Sequence, residues 1–340
     1  MATPRLALSR EQVLAHRRRA NSLDERLPPG GTSLERAAWA GLQDSMPRAA
    51  VLSIHARVAG AEPSSWEHSS LVQVWGPRFS AYVVAARDHA VFTLGRLPDD
   101  ARGLHRAEDT AARLHAFLDG RRMRYDEAGR GIGVHPNALR YAAPTGTVLI
   151  RWEGARLPVI WTVPRPEIDP REARLELARR YLHVFGPTTP AAFAKWAGIG
   201  TAGGRAAFDA LAAELLAVRT PVGDGSILGS DEQSFRDTPS AAAPARLLPS
   251  GDPFFLLHGL DRELLVADAT RRPELWTPRV WPGAVLVGGE VVGIWRRAGS
   301  VVAIQPWRRL STAERRAVET EAGALPLPGA DGGIVVNWDD

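Results

Sequence analysis

The chain has 340 residues, 45% of them hydrophobic and 24% charged, ordinary values for a globular protein long enough for two or three domains. Its net charge of +4, from 42 basic and 38 acidic residues, is too small to name a partner, and zero cysteines exclude disulfide frameworks, thiol nucleophiles and Cys-ligated metals. No apolar run reaches the ~18 residues of a membrane-spanning helix, and the N-terminus turns charged without a hydrophobic signal core, so a soluble, cytoplasmic protein is expected.

The basic set is 41 Arg and a single lysine, Lys195. A GC-rich coding sequence explains that bias, and so does a use for guanidinium forks on phosphates and guanine edges; composition does not separate the two.

In chain order, Ser9 is placed to cap a helix running to Ala20, with Glu11 in its first turn. Pro28-Pro29-Gly30-Gly31 interrupts the chain, and a second helix from Ser33 is predicted to end near Gln43-Asp44. Ser45-Met46-Pro47 reads as the start of a third helix that carries Val51, Ile54, His55 and Val58. Leu71–Trp75 and Ala81–Val84 read as strands around a Gly76-Pro77 turn. Three helices followed by a hairpin is the order of a winged helix-turn-helix.

The order recurs. A helix over Arg106–Leu118, a short helix at Met123–Ala128 and a segment at 135–139 precede a hairpin formed by residues 147–152 and 158–163. After the Pro164-Arg165-Pro166 joint, Asp169 caps a helix to Val184, Thr189-Pro190 starts one to Ala197, and Thr201 caps another over Ala202–Val218. Residues 220–245 read as a loop, and strands are predicted at Phe254–Leu257, Ala284–Val287, Val291–Trp295 and Val301–Gln305, with a Gly288-Gly289 turn. The expected architecture is therefore α+β: about three tandem winged-helix modules (1–98, 99–164 and 165–235) and a C-terminal β-rich region, 236–340.

Several signatures fail their context. Gly198-Ile199-Gly200-Thr201-Ala202-Gly203 fits a dinucleotide fingerprint literally but follows a helix rather than a strand, and there is no Walker loop, G-x-S-x-G elbow or H-E-x-x-H. The informative junction is Gly41-Leu42-Gln43-Asp44-Ser45-Met46-Pro47-Arg48, where a Gln and an Asp at one helix end meet the N-terminus of the next. Such a corner can hold a phosphate or orient a water, and equally can be a capping arrangement in which Asp44 and Ser45 satisfy backbone N–H groups.

Here the sequence resembles the AlkZ-type winged-helix DNA glycosylases. The likeness is carried by the Gly41–Ser45 corner with Ala50–Arg57, by Val74-Trp75-Gly76-Pro77-Arg78, by Gly186-Pro187-Thr188-Thr189 and by Leu286–Arg297. The resemblance implies tandem winged helices around double-stranded DNA and hydrolysis of the N-glycosidic bond of N7- or N3-alkylated purines, or of bulky or crosslinked adducts, in repair or self-resistance. The family's Gln-x-Gln or Gln-x-Asp motif maps onto Gln43, Asp44 and Ser45, with Ser45 standing where the family has a second amide or carboxylate.

A cationic purine leaves as a neutral base, so such an enzyme needs an oriented water and a stabilised oxocarbenium-like sugar rather than base protonation; an amide and a carboxylate suit those tasks. No metal or cofactor is expected. With one lysine, a Schiff-base lyase route would rest on Lys195 alone, so monofunctional hydrolysis is the expectation. Expected DNA contacts are Arg48 and His55 on the third helix, Arg121, Arg122 and Arg124 before the second hairpin, and Arg151 and Arg156 at its tip; Arg17-Arg18-Arg19 is a further basic cluster. A monomer with no protein partner and no membrane association is expected. The rival readings are a non-catalytic winged-helix regulator and a plain interaction scaffold.

Overall fold

A computed structural model describes residues 6–44, 48–153, 156–237, 243–328 and 333–339. The fold is mixed α+β with three sheets. The capping signals written in the sequence act as expected: Ser9 and Gln12 form a reciprocal capping box on helix Arg10–Ala20, Asp169 caps Pro170–Phe185, and Thr189 caps Pro190–Ala197.

The six-stranded sheet runs, edge to edge, Leu42–Gln43, Ala81–Ala85, Leu71–Trp75, Val148–Arg151, Val159–Thr162 and Met123–Arg124. Two hairpins from either side of residue 98 are thereby joined, at the single register pair Gln73↔Ile150. A five-stranded sheet follows chain order from Arg246–Leu248 through Gly283–Val287, Glu290–Ala298 and Val301–Pro306 to Val335–Trp338, antiparallel except for its last pair. The Gly288-Gly289 turn has φ of +61° and +85°, the positive pair that a tight hairpin turn requires. The third sheet pairs Leu215–Thr220 with Gly223–Leu228 and, in parallel, with Leu6–Ala7. Helices Pro170–Phe185, Pro190–Ala197 and Thr201–Ala210 precede its hairpin, and their apolar faces (Leu177, Tyr181, Phe193, Trp196) supply the largest core.

Five expectations are corrected. The second helix covers Gly31–Ala37 and stops well before Gln43, because the chain turns at Gly41 (φ +77°) and Leu42–Gln43 pairs with Val83 and Tyr82 as an edge strand. A Cβ at Gly41 would stand 2.7 Å from the Phe92 ring, so this turn needs glycine. The helix expected to reach Val218 ends at Ala210; the alternating Leu216 and Val218 pair as a strand, and the expected loop after 220 contains strand Gly223–Leu228 and helix Glu232–Arg236. Phe254 lies in a 3-10 turn, Pro253–Phe255, because the Asp252 carboxylate accepts the Phe254 N–H at 2.9 Å. Met123–Arg124 is a strand that leads into helix Tyr125–Gly131. Among the described residues no helix is long and apolar enough to cross a membrane.

Candidate active site

Gln43 and Asp44 are neighbours on an extended edge strand, where successive side chains leave on opposite faces. Asp44 continues the ladder through its N–H to Ala81 O (2.8 Å), and its side chain turns inward, 1% exposed. One carboxylate oxygen accepts the Ala50 N–H (3.0 Å) at the start of helix Ala49–Arg57; the other accepts from Gln73 Nε2 (2.8 Å). Gln73 is itself fixed, since its Oε1 accepts the Trp152 N–H at 2.6 Å. Asp44 is therefore a buried helix cap that also orients Gln73, the residue that ties the two hairpins together.

Burial pushes the Asp44 carboxyl up to about 6 from an ordinary 3.8, against the opposing pull of the Ala50 N–H, the Arg48 charge and Gln73. An acid whose folded pKa is raised keeps its proton while the unfolded chain ionises, so its contribution to stability falls as pH rises from about 4 to about 6. Asp44→Asn is expected to destabilise by about 1–3 kcal/mol, because one of two acceptors becomes a donor facing a donor. Its deficit relative to the parent should narrow as pH rises across that window. Urea midpoints measured at pH 4, 5, 6 and 7 check this; a deficit independent of pH contradicts it.

Gln43 points the other way and is half-buried, facing a cleft of about 330 Å³ lined by Arg78, Ser250, Gly251, Leu256, Arg279, Val280 and Trp281. Its Oε1 accepts from Arg78 Nη2 (3.2 Å) and from the Tyr82 hydroxyl (3.4 Å). Tyr82 is fully buried and its phenol is pushed up to about 12 by that burial, so it remains a donor at neutral pH. Gly251 (φ +77°) closes over the amide: a Cβ there would stand 3.2 Å from Gln43 Cδ.

The cleft is cationic. Arg78 donates from Nη1 to His258 Nε2 at 2.7 Å, and burial, then the charges of Arg78, Lys195 and Arg262, push His258 down to about 4, so the ring is neutral and accepts. Arg78 and Phe79 both take left-handed φ (+55° and +59°) in the turn after Pro77, a conformation uncommon for non-glycine residues and found where surroundings fix it. That turn places Arg78 between the Gln43 cleft and a second one of about 470 Å³, lined by Trp75, Phe79, Tyr125, Asn137, Arg140 and Arg156 among others. No carboxylate is among the described residues lining either cleft.

The other candidate residues divide. Ser45 lies outside the described residues, as do Gly154 and Ala155 of the hairpin tip. Arg48 is engaged: its guanidinium donates to Trp152 O (3.3 Å), lies 3.9 Å from Asp44 and stacks 4.2 Å over Trp66. His55 is buried against Arg26 (3.0 Å) and Glu321 (3.7 Å), and burial, with the charges of Arg26 and Arg246, pushes it down to about 4. Arg124 is bidentate to Asp126, and Arg151 is shared by Glu67 and Glu153 (2.9 Å each).

Arg121 donates to Phe117 O and Leu118 O, Arg122 lies 4.5 Å over Trp161, and Arg156 is exposed on the second cleft; none of the three has an ion pair among the described residues. The 17–19 cluster is internal instead. Arg17 collects Phe185 O and Gly186 O and pairs with Asp261, Arg18 pairs with Asp24, and Arg19 donates to Ser234 O. The sequence reading missed Tyr82, His258, Arg279 and Trp281; Arg78 lay within the run that carried the family resemblance, and the Gly-Pro turn before it was the available signal.

A family model described as "DNA glycosylase AlkZ-like" matches residues 36–326. Among solved structures, Streptomyces sahachiroi DNA glycosylase AlkZ is similar in fold, with a TM-score of 0.76 at 18% sequence identity, covering 98% of this chain and 100% of that one. No curated protein sequence matches the chain significantly.

Proposed function

This chain belongs to the AlkZ-like DNA glycosylase family, and from that premise we propose that it hydrolyses the N-glycosidic bond of cationic N7- or N3-alkylated purines in double-stranded DNA, with Gln43 holding the attacking water. The observation that carries the reading is the Gln43 amide, held at its oxygen by Arg78 and Tyr82 and turned into a cationic cleft. With its oxygen engaged by Arg78 and Tyr82, the amide would orient a water through a hydrogen bond from its NH2 group. As that water's oxygen bonds to C1′, the C1′–N bond breaks, its electron pair neutralises the purine, and the water's proton passes to solvent.

The described residues lining the cleft offer no acid to protonate a leaving base, which this substrate class does not require; a carboxylate to stabilise the sugar cation is not among them either. A neutral purine leaves only if an acid protonates it, whereas a cationic one leaves unassisted. The tandem winged-helix reading, with the hairpin 148–162 as a wing on DNA, accords with three helices followed by a hairpin at 170–228. Both roles place the protein in alkylation repair or genotoxin self-resistance, in the cytoplasm.

Duplexes carrying N7-methylguanine or a nitrogen-mustard crosslink test the proposal: free base should be released, and no release above a Gln43→Ala control overturns it. The rival, a non-catalytic DNA-binding protein, is favoured by Asp44 being buried away from Gln43. It requires sequence-preferring binding to intact duplex and no base release. Arg78→Met removes a cation at the junction of the two clefts; its expected effect is weaker duplex binding with a salt-dependence slope smaller by about 0.9. Fluorescence anisotropy between low and moderate salt reads that slope, and an unchanged one would place Arg78 off the phosphate path.

A further inference from the structure

A groove of about 800 Å³ lies between Arg26, Pro244–Arg246 and helix Thr312–Gly323, and shares no lining residue with the Gln43 cleft. The helix contributes Thr312, Arg316 and Thr320, spaced i, i+4, i+8, which is one stripe of an α-helix. The charged residues lining the groove are three arginines, 26, 246 and 316, and one acid, Glu321.

Glu321 is already spent. Both of its oxygens lie 2.7 Å from Arg26 Nη2, with the neutral His55 behind them. Arg246 is 6% exposed, yet its hydrogen bond from Nη1 goes to the neighbouring Ala245 carbonyl (3.0 Å), and its buried Nε has no partner. No carboxylate lies within ion-pairing distance of Arg246 or of the exposed Arg316 among the described residues. The nearest acids, Asp24 and Glu321, serve Arg18 and Arg26. A buried cation with an unmet Nε–H, whose nearby acids are committed to other arginines, is costly and suits an added counter-anion.

We propose that this groove binds a phosphate group, held by the Arg246 and Arg316 guanidiniums. Two guanidinium forks, with the Thr312 hydroxyl on the same wall and the Thr320 hydroxyl already donating to Arg316 O (2.8 Å), suit a group that presents several charged oxygens. The net +2 of the lining side chains balances a phosphate dianion. The phosphate can come from the DNA backbone or from a free phosphate or phosphomonoester; the chemistry of recognition is shared.

The full chain is titrated with inorganic phosphate, against sodium chloride at matched ionic strength, while its melting temperature and heat of binding are followed. Phosphate is expected to raise Tm saturably. Arg316→Ala should shift half-saturation by about tenfold, the weight of one lost charge-assisted contact. Arg246→Met should abolish the response, because it removes one of the two guanidiniums that hold the phosphate. Should Arg246→Met fail to fold, the exposed Arg316→Ala carries the comparison alone.

A phosphate shift no larger than that of chloride, or a parent-like response in Arg316→Ala, overturns the proposal. A second arm separates the sources. Displacement of phosphate by a short undamaged duplex, with a smaller salt slope in Arg316→Ala, identifies the DNA backbone. Simultaneous binding of duplex and phosphate identifies a free phosphate, and either result supports the site.

Discussion

Gln43→Ala is expected to lower the single-turnover rate of base release by about 10²–10³-fold, the cost of removing one preorganised hydrogen-bonding group from a site of developing charge, while duplex affinity changes little. The argument is one of placement. The amide sits on an edge strand whose partner, Tyr82, is fully buried, so the base of the side chain is fixed by the sheet. Its oxygen is fixed a second time by Arg78 and Tyr82, and Gly251 packs against the amide so closely that a Cβ there would stand 3.2 Å from Gln43 Cδ. Gln43→Asn keeps the amide but withdraws it by one methylene, about 1.5 Å, and a misplacement of that order costs about 10²-fold where geometry is the catalyst. The two variants together separate an amide that is needed from an amide that is needed at this position. A parent-like rate in Gln43→Ala would remove Gln43 from the chemistry.

The local signals of the sequence are faithful where a short stretch decides its own conformation. The capping box at Ser9, the caps at Asp169 and Thr189, and the double-glycine turn at 288–289 each need a few residues and no tertiary partner. The candidate corner is different, because Leu42–Gln43 is a strand only through pairing with Tyr82 and Val83, some forty residues on. Read as a helix end, Gln43 and Asp44 diverge by about 100°; on the strand they part completely, and one becomes a cleft residue while the other becomes a cap.

Arginine was the least legible residue type. Arg17, Arg18 and Arg57 look like surface charge in the sequence, but a planar guanidinium can gather several carbonyls or both oxygens of a carboxylate, and all three are buried doing so. The basic surface of the cleft comes instead from Arg78 and Arg279, single residues on turns with no basic run around them. Charge clustering along the chain is thus a poor guide to charge clustering in space here, since the helix Arg10–Ala20 buries Arg17 and Arg18 of its arginine triplet.

The largest loss of stability is expected from Asp252→Asn. Its carboxylate accepts from Arg57 Nη1 (2.7 Å), Arg57 Nη2 (2.8 Å), the Ser53 hydroxyl (2.7 Å) and the Phe254 N–H (2.9 Å), with both partners of the ion pair essentially without exposure. The amide turns one oxygen into a donor facing donors and leaves the Arg57 charge uncompensated in the interior, a cost of about 3–5 kcal/mol and a fall in Tm of roughly 10 °C. Arg57→Met should cost a similar amount. The double variant, with neither charge left buried, should lose clearly less than the sum, a coupling that a double-mutant cycle measures; simple additivity would mean the pair does not act as a unit. The consequence reaches the cleft. Helix Ala49–Arg57 is tied at its first turn to Asp44, next to Gln43, and at its last residue to Asp252, next to Gly251. Gln43 and Gly251 both line the cleft and lie against each other, so one nine-residue helix is tied beside two of its lining residues. Asp252→Asn should therefore lower base release at temperatures where the protein is still folded, and the double variant should restore stability more completely than it restores rate.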